Sequence, residues 1–170
     1  ARPRHPIVEE RTRRLTAFAE TTDLNREEMG EDTSIGIITS STSYQYAREV
    51  FGPKASILKL GLVNPLPKQK ILDFAAKVDK VLVLEELDPV IEDHCRALGL
   101  DVLGKDVLPL EGEFSQGLVA EKLGKPGKPW VGLGENVPGR PPVLCAGCPH
   151  RGLFYTLAKH KVTVLGDIGC

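Results

Sequence analysis

SIGIITS (34–40), SYQYAREVF (43–51), ASILKLG (55–61), KQKILDFAAKV (68–78) and KVLVLEE (80–86) follow one another almost without a break, and their reading decides the fold. The first, third and fifth runs are short, apolar and rich in β-branched residues, the pattern of strands buried on both faces. Between them the period changes. In KQKILDFAAKV, Ile71, Ala75 and Val78 recur at i, i+4 and i+7, as one face of a helix requires. DPVIEDHCRAL (88–98) then predicts a further helix, with Asp88 as N-cap, Pro89 at the first helical position, and Ile91, Cys95 and Leu98 on one face. LDVLGKD (100–106) reads as one more short strand. Strand alternating with helix predicts an α/β fold with a mostly parallel sheet, right-handed crossovers and flanking helices. Residues 33–120 are expected to fold as a unit of their own.

On the amino-terminal side, residues 1–32 carry alternating charge in EERTRRL (9–15) and NREEMGED (25–32). Val8, Leu15 and Phe18 fall at roughly helical spacing, and Pro6 suits a first turn, so a solvated lead-in helix followed by a loop is expected. On the other side, residues 121–142 hold five glycines and five prolines. Proline removes donors and glycine costs backbone entropy, so this segment is expected to hold no regular element and to link two domains, with residues 121–140 as the linker. Beyond it, the helix-like GLFYTLAKH (152–160) and the apolar KVTVLGD (161–167) restart an α/β pattern in residues 141–170.

Composition narrows the function classes. The chain has 170 residues, 41% of them hydrophobic and 26% charged, with a net charge of −1. No global pull toward nucleic acid or an anionic membrane is expected from that balance. No run of eighteen apolar residues and no signal-like opening occurs, and four unevenly spaced cysteines suit free or metal-bound thiols, so a cytoplasmic location is expected. The chain starts at Ala1 and ends at Cys170 directly after VTVLGDIG, where a parallel sheet ordinarily continues, so it reads as a fragment.

Three groups of residues could carry chemistry. Ser40, Ser41, Thr42 and Ser43 lie between a strand and a helix, where they could hold an anion or simply cap the helix. Glu85, Glu86 and Asp88 follow a strand's carboxyl end, where open α/β sheets place ligands. They could act as acid and base, although an interdomain polar contact is the favoured reading. His94 is expected at the surface and Cys95 in the core, while His5 and His160 have no evident partners. CAGCPHR (145–151) with GDIGC (166–170) is the strongest signal. Cys145 and Cys148 at C-x-x-C spacing can converge on a soft metal, Gly147 lets the loop turn, and Pro149 ends it. His150 and Arg151 then open a helix where a phosphate could be met. The glycines around Asp167 would let a ligand approach. A Cys₃His zinc site from Cys145, Cys148, His150 and Cys170, in a non-catalytic binding or assembly domain, is the competing reading.

LKLGLVNPLP (58–67), VLVLEELDP (81–89), PPVLCAGCPHRG (141–152) and GDIGC, in this order, resemble the alpha subunits of indolepyruvate ferredoxin oxidoreductases, of the 2-oxoacid:ferredoxin oxidoreductase superfamily. The likeness runs from RHPIVEE (4–10) to Cys170. It implies a transketolase C-terminal-like domain over 33–120 and the start of a thiamine-diphosphate-binding domain from 141. It further implies that Cys145, Gly147, Cys148, Pro149, His150, Arg151, Asp167, Gly169 and Cys170 face thiamine diphosphate with its magnesium. In relatives, the equivalents of Cys145, Cys148 and Cys170 ligate a [4Fe–4S] cluster, with a fourth cysteine from further along. The implied reaction is oxidative decarboxylation of an arylpyruvate to an aryl-acetyl-CoA, with coenzyme A as acyl acceptor, ferredoxin as electron acceptor and a beta subunit as partner. No complete catalytic set lies within the chain by that likeness, so alone it is expected to be inactive.

Overall fold

The computed structural model describes residues 4–127 and 144–166. The chain divides into two compact units, Ala1–Trp130 and Val131–Cys170. In the first, α1 (His5–Thr21) precedes the short strand β1 (Arg26–Glu28) and the long strand β2 (Asp32–Ser40). Then follow α2 (Ser43–Phe51), β3 (Ala55–Leu60), α3 (Lys68–Ala75), β4 (Val81–Leu84), α4 (Val90–Ala97), β5 (Val102–Leu103) and α5 (Gln116–Lys122). Each strand and helix expected between 34 and 106 is present, and the sheet is mostly parallel.

The strand order is β1-β3-β2-β4-β5, with β1 antiparallel to β3 and every other pair parallel. After β2 the chain moves to one side to lay down β3, then returns across β2 to lay down β4. The carboxyl ends of β2 and β4 therefore flank the point where the winding direction reverses, the usual ligand crevice of open α/β sheets.

Alternation along the strands sorts the core onto two faces. Ile37, Ile57, Leu82 and Leu84 pack with Tyr44, Ala47 and Val119 of α2 and α5. Ile38, Leu58, Val81 and Val83 pack with Ile71, Phe74, Ile91 and Cys95 of α3 and α4. At Gly36 a Cβ would lie 2.7 Å from Val78 Cγ2 and 2.9 Å from Phe74 Cε1, so the close seating of α3 on β2 requires glycine there.

The lead-in region holds more than a helix and a loop. Strand β1 forms the sheet edge, and Asn25 just before it is fully buried. Its Nδ2 donates to the Ala19 carbonyl (3.0 Å), while its Oδ1 accepts from the N–H groups of Gly61 (2.9 Å) and Leu62 (2.8 Å). The Glu20 carboxylate accepts from the Gln69 and Lys70 N–H groups and so caps α3. Composition reads this region as solvated because most of it is; Ala19 is the one buried residue of α1.

At the other end, α5 runs through Lys122, two residues into the segment expected to lack regular structure. Ser115 starts it by accepting from the Leu118 N–H, and Gly124, at φ +61°, follows its end. The second unit contains α6 (His150–Lys159), which begins two residues before the helix expected at 152–160. The expected strand KVTVLGD is not seen over 161–166, and the rest of it lies outside the described residues. Val162, Val164 and Leu165 are exposed there, and no ladder partner pairs with them among the described residues. An apolar β-branched run becomes a strand only when a neighbour supplies the hydrogen bonds.

Candidate functional site

The second unit builds its site on a single turn. Cys148 N–H donates to the Cys145 carbonyl (3.1 Å), closing a four-residue turn through Ala146 and Gly147. Gly147 sits at φ +79° with no atom near its open face, so the left-handed backbone, rather than crowding, is what demands glycine. Pro149, at φ −65°, occupies the N-cap of α6. Arg151 N–H donates to the Cys148 carbonyl (3.2 Å), and no side chain caps the helix. His150 leans on Phe154 one turn along, ring centroids 6.2 Å apart. Cys145 is exposed and Cys148 half-buried, both as free thiols.

The sequence-derived set therefore comes together in part. Cys145, Gly147, Cys148, Pro149, His150 and Arg151 share one turn and the helix start that follows it. Asp167, Gly169 and Cys170 lie outside the described residues. Among the described residues, no group of three or more His, Cys, Asp or Glu side chains could hold a metal ion.

In the first unit, the rim at the sheet's carboxyl ends differs from expectation in several respects. Thr42, at the N-cap of α2, is helical and its side chain caps nothing; Ser41 takes φ +51° instead. Hydroxyl capping therefore does not account for this cluster. Thr39 Oγ1 donates to the Leu84 carbonyl (2.7 Å), tying β2 to β4 beside the reversal point.

Asp88 does not cap α4. Leu87 adopts φ +61° and turns the chain so that the Glu85 carboxylate faces the helix start, where it accepts from Ile91 N–H (2.8 Å) and Glu92 N–H (2.9 Å). Capping from five residues before the helix cannot be read from the local spacing on which cap assignments rest. Glu86 accepts from the Phe114 N–H, so both glutamates make hydrogen bonds within this unit.

Lys105 closes the arrangement. Its Nζ donates to the Glu85 carbonyl (2.7 Å) and lies 5.0 Å from the Phe114 ring centroid, and its N–H donates to the Glu92 carboxylate (2.8 Å). Burial raises the Glu85 carboxyl above its ordinary value, against the pull of the two capping N–H groups and Lys105. Burial likewise lowers Lys105, against the surrounding carboxylates. Cys95 is fully buried as expected, and burial, followed by Glu85 and Glu92, pushes its thiol up to about 12.

His94 is not a surface residue: it is half-buried, and its Nε2 is enclosed with no hydrogen-bond partner among the described residues. His5 lies 3.7 Å from Glu9 on the exposed side of α1. Sequence reading passed over Asn25, Glu20 and Lys105. Each makes its contacts through a side chain reaching residues distant in sequence, so no local pattern announces it.

No family model matches the chain, and no solved structure matches it. Among curated proteins, it is similar to the indolepyruvate oxidoreductase subunit IorA of Archaeoglobus fulgidus, at 36% identity over 100% of this chain and 31% of that protein. The IorA subunit of Methanothermobacter thermautotrophicus is 32% identical over 100% of this chain and 32% of its own length. That of Pyrococcus horikoshii is 30% identical over 99% of this chain and 30% of its own length. The chain spans about 30% of the length of the curated relatives it matches.

Proposed function

Because this chain belongs, over its whole length, with the IorA subunits of indolepyruvate oxidoreductase, we propose that it forms part of a thiamine-diphosphate-dependent enzyme that oxidatively decarboxylates arylpyruvates. In that reading the products are aryl-acetyl-CoA and reduced ferredoxin, a beta subunit completes the enzyme, and the enzyme works in the cytoplasm. One observation carries it: similarity to several IorA subunits extends from end to end of the chain rather than through one motif. No described helix is long and apolar enough to cross a membrane.

The turn before α6 suits the anionic end of such a cofactor. A ten-residue helix with no side-chain cap leaves N–H groups free at its start, and His150 and Arg151 stand in that first turn. We assign His150 and Arg151 to the diphosphate, with Gly147 giving it room and Cys145 and Cys148 lining the loop. Asp167, Gly169 and Cys170 would complete the wall, and the diphosphate's magnesium would be held by residues other than these. When bound, the cofactor supplies a carbanion nucleophile for the substrate's keto carbon. The chain's own residues bind and orient: Arg151 offers a fixed fork to phosphate oxygens, and His150 a ring nitrogen. A [4Fe–4S] cluster here would need Cys170 in addition to the two thiols on the turn.

The test uses a subunit of the relatives' full length carrying this sequence, assembled with its beta subunit. Arylpyruvate- and coenzyme-A-dependent reduction of ferredoxin is expected. Arg151→Ala should raise the thiamine diphosphate needed for half-maximal rate at least tenfold, with little change in thermal midpoint. An assembly that binds the cofactor yet reduces no ferredoxin with any arylpyruvate would refute the reading. The 170-residue chain by itself should show no turnover.

A further inference from the structure

We propose that Cys145 and Cys148 form a dithiol that exchanges with small disulfides and closes reversibly into an intramolecular disulfide. The hydrogen bond from Cys148 N–H to the Cys145 carbonyl (3.1 Å) makes these residues the two ends of a β-turn. Such turns bring their end Cα atoms within about 7 Å. Disulfides span Cα separations of about 4.4–6.8 Å, so the turn sets the two backbones at a spacing that a disulfide can bridge. Gly147 at φ +79° maintains the turn without a Cβ to strain it. The two thiols also differ in access: Cys145 is exposed and Cys148 half-buried. The more exposed Cys145 is the thiol that an incoming disulfide meets first, with the less exposed Cys148 at the other end of the same turn.

Cys95 marks the contrast. Fully buried and pushed up to about 12, it is held as an inert core thiol. Among the described residues, the pair on the turn has no third side chain that would make a metal site of it. Two thiols on one turn are sufficient for exchange.

The step balances. The Cys145 thiolate attacks one sulfur of the incoming disulfide, whose S–S bond breaks; a mixed disulfide forms on Cys145 and one thiolate leaves. Cys148 then attacks the Cys145 sulfur, the mixed bond breaks, and the second thiolate leaves. The two cysteines lose two electrons and two protons, and the small disulfide gains them to become two thiols. The proposal does not rest on the arylpyruvate reading, and its readout is independent of catalysis.

The experiment takes the full 170-residue chain, reduced and metal-free, through a series of oxidised-to-reduced glutathione ratios. Free thiols are then alkylated and cysteine peptides mapped by mass. A single peptide holding both Cys145 and Cys148, about 2 Da lighter than the dithiol, should appear and vanish with the ratio. Cys95 should alkylate only after unfolding. In Cys148→Ser, glutathione should remain trapped on Cys145, with the thermal midpoint of each variant showing that the fold is intact. The proposal is overturned if Cys145 and Cys148 both stay alkylatable at every ratio, if either pairs instead with Cys170, or if Cys148→Ser traps no glutathione.

Discussion

Replacing Asn25 with alanine tests whether the lead-in region is part of the sheet domain or an appendage to it. The side chain makes three hydrogen bonds from a fully buried position, and alanine removes all of them. Their losses are unequal. Gly61 N–H keeps a second acceptor in the Leu24 carbonyl (3.0 Å), whereas Leu62 N–H has only Asn25 Oδ1 among the described residues. An unpaired, partly buried donor costs about 1–3 kcal/mol and each of the two further lost bonds about 0.5–1.5 kcal/mol, so Asn25→Ala should destabilise by roughly 2–6 kcal/mol. Urea unfolding followed by far-ultraviolet circular dichroism measures this as a lower midpoint at unchanged slope. Asn25→Asp keeps the acceptor but loses the Nδ2 donor and buries a carboxylate, so its cost should shrink as pH falls. A loss below about 0.5 kcal/mol for Asn25→Ala, the range of ordinary surface substitutions, would mean that these bonds do not hold the lead-in region to the sheet. It would also support 33–120 as a self-sufficient unit. With those bonds contributing as expected, a piece covering 33–120 melts well below one that keeps residues 4–127.

Gly36→Ala should destabilise by about 1–3 kcal/mol through overpacking, because Val78 and Phe74 both lie within 3 Å of the added Cβ. Adding Val78→Ala should recover part of that in a double-mutant cycle, and strict additivity would argue against the clash. Glu85 gives a pH signature. Its carboxyl is raised by burial, so its contribution to stability is full below the ordinary value of 4.5 and is lost as pH climbs through the raised folded value. Glu85→Gln should flatten the fall in thermal midpoint across that window, and an unchanged slope would count against burial as the cause.

Local signals were legible wherever a residue's role is settled by its near neighbours in sequence. The β-branched runs at 34–40, 55–61 and 80–86 and the helical spacing of Ile71, Ala75 and Val78 were enough for an α/β fold with a mostly parallel sheet, because burial on both faces leaves no alternation to confuse with a half-exposed strand. The turn at CAGC was legible for the same reason. Glycine at its third position and proline just after leave few backbone choices, and α6 begins directly after that proline, two residues ahead of GLFYTLAKH.

Tertiary structure alone decided matters that depend on partners far along the chain. The run at 161–166 has strand composition, yet it joins no ladder among the described residues, and the Lys161 and Val162 N–H groups turn back to the Ala158 and Leu157 carbonyls instead. Asp88 has the spacing of a cap, yet the left-handed Leu87 delivers Glu85 to the helix instead. Asn25 sits in a polar, charged stretch, yet it is fully buried, because the carboxyl end of β3 arrives with two N–H groups to satisfy. Composition and period report what a segment can bury and how its backbone prefers to turn. Which donor meets which acceptor is set by the winding order β1-β3-β2-β4-β5, which brings together groups whose separation in sequence carries no local trace.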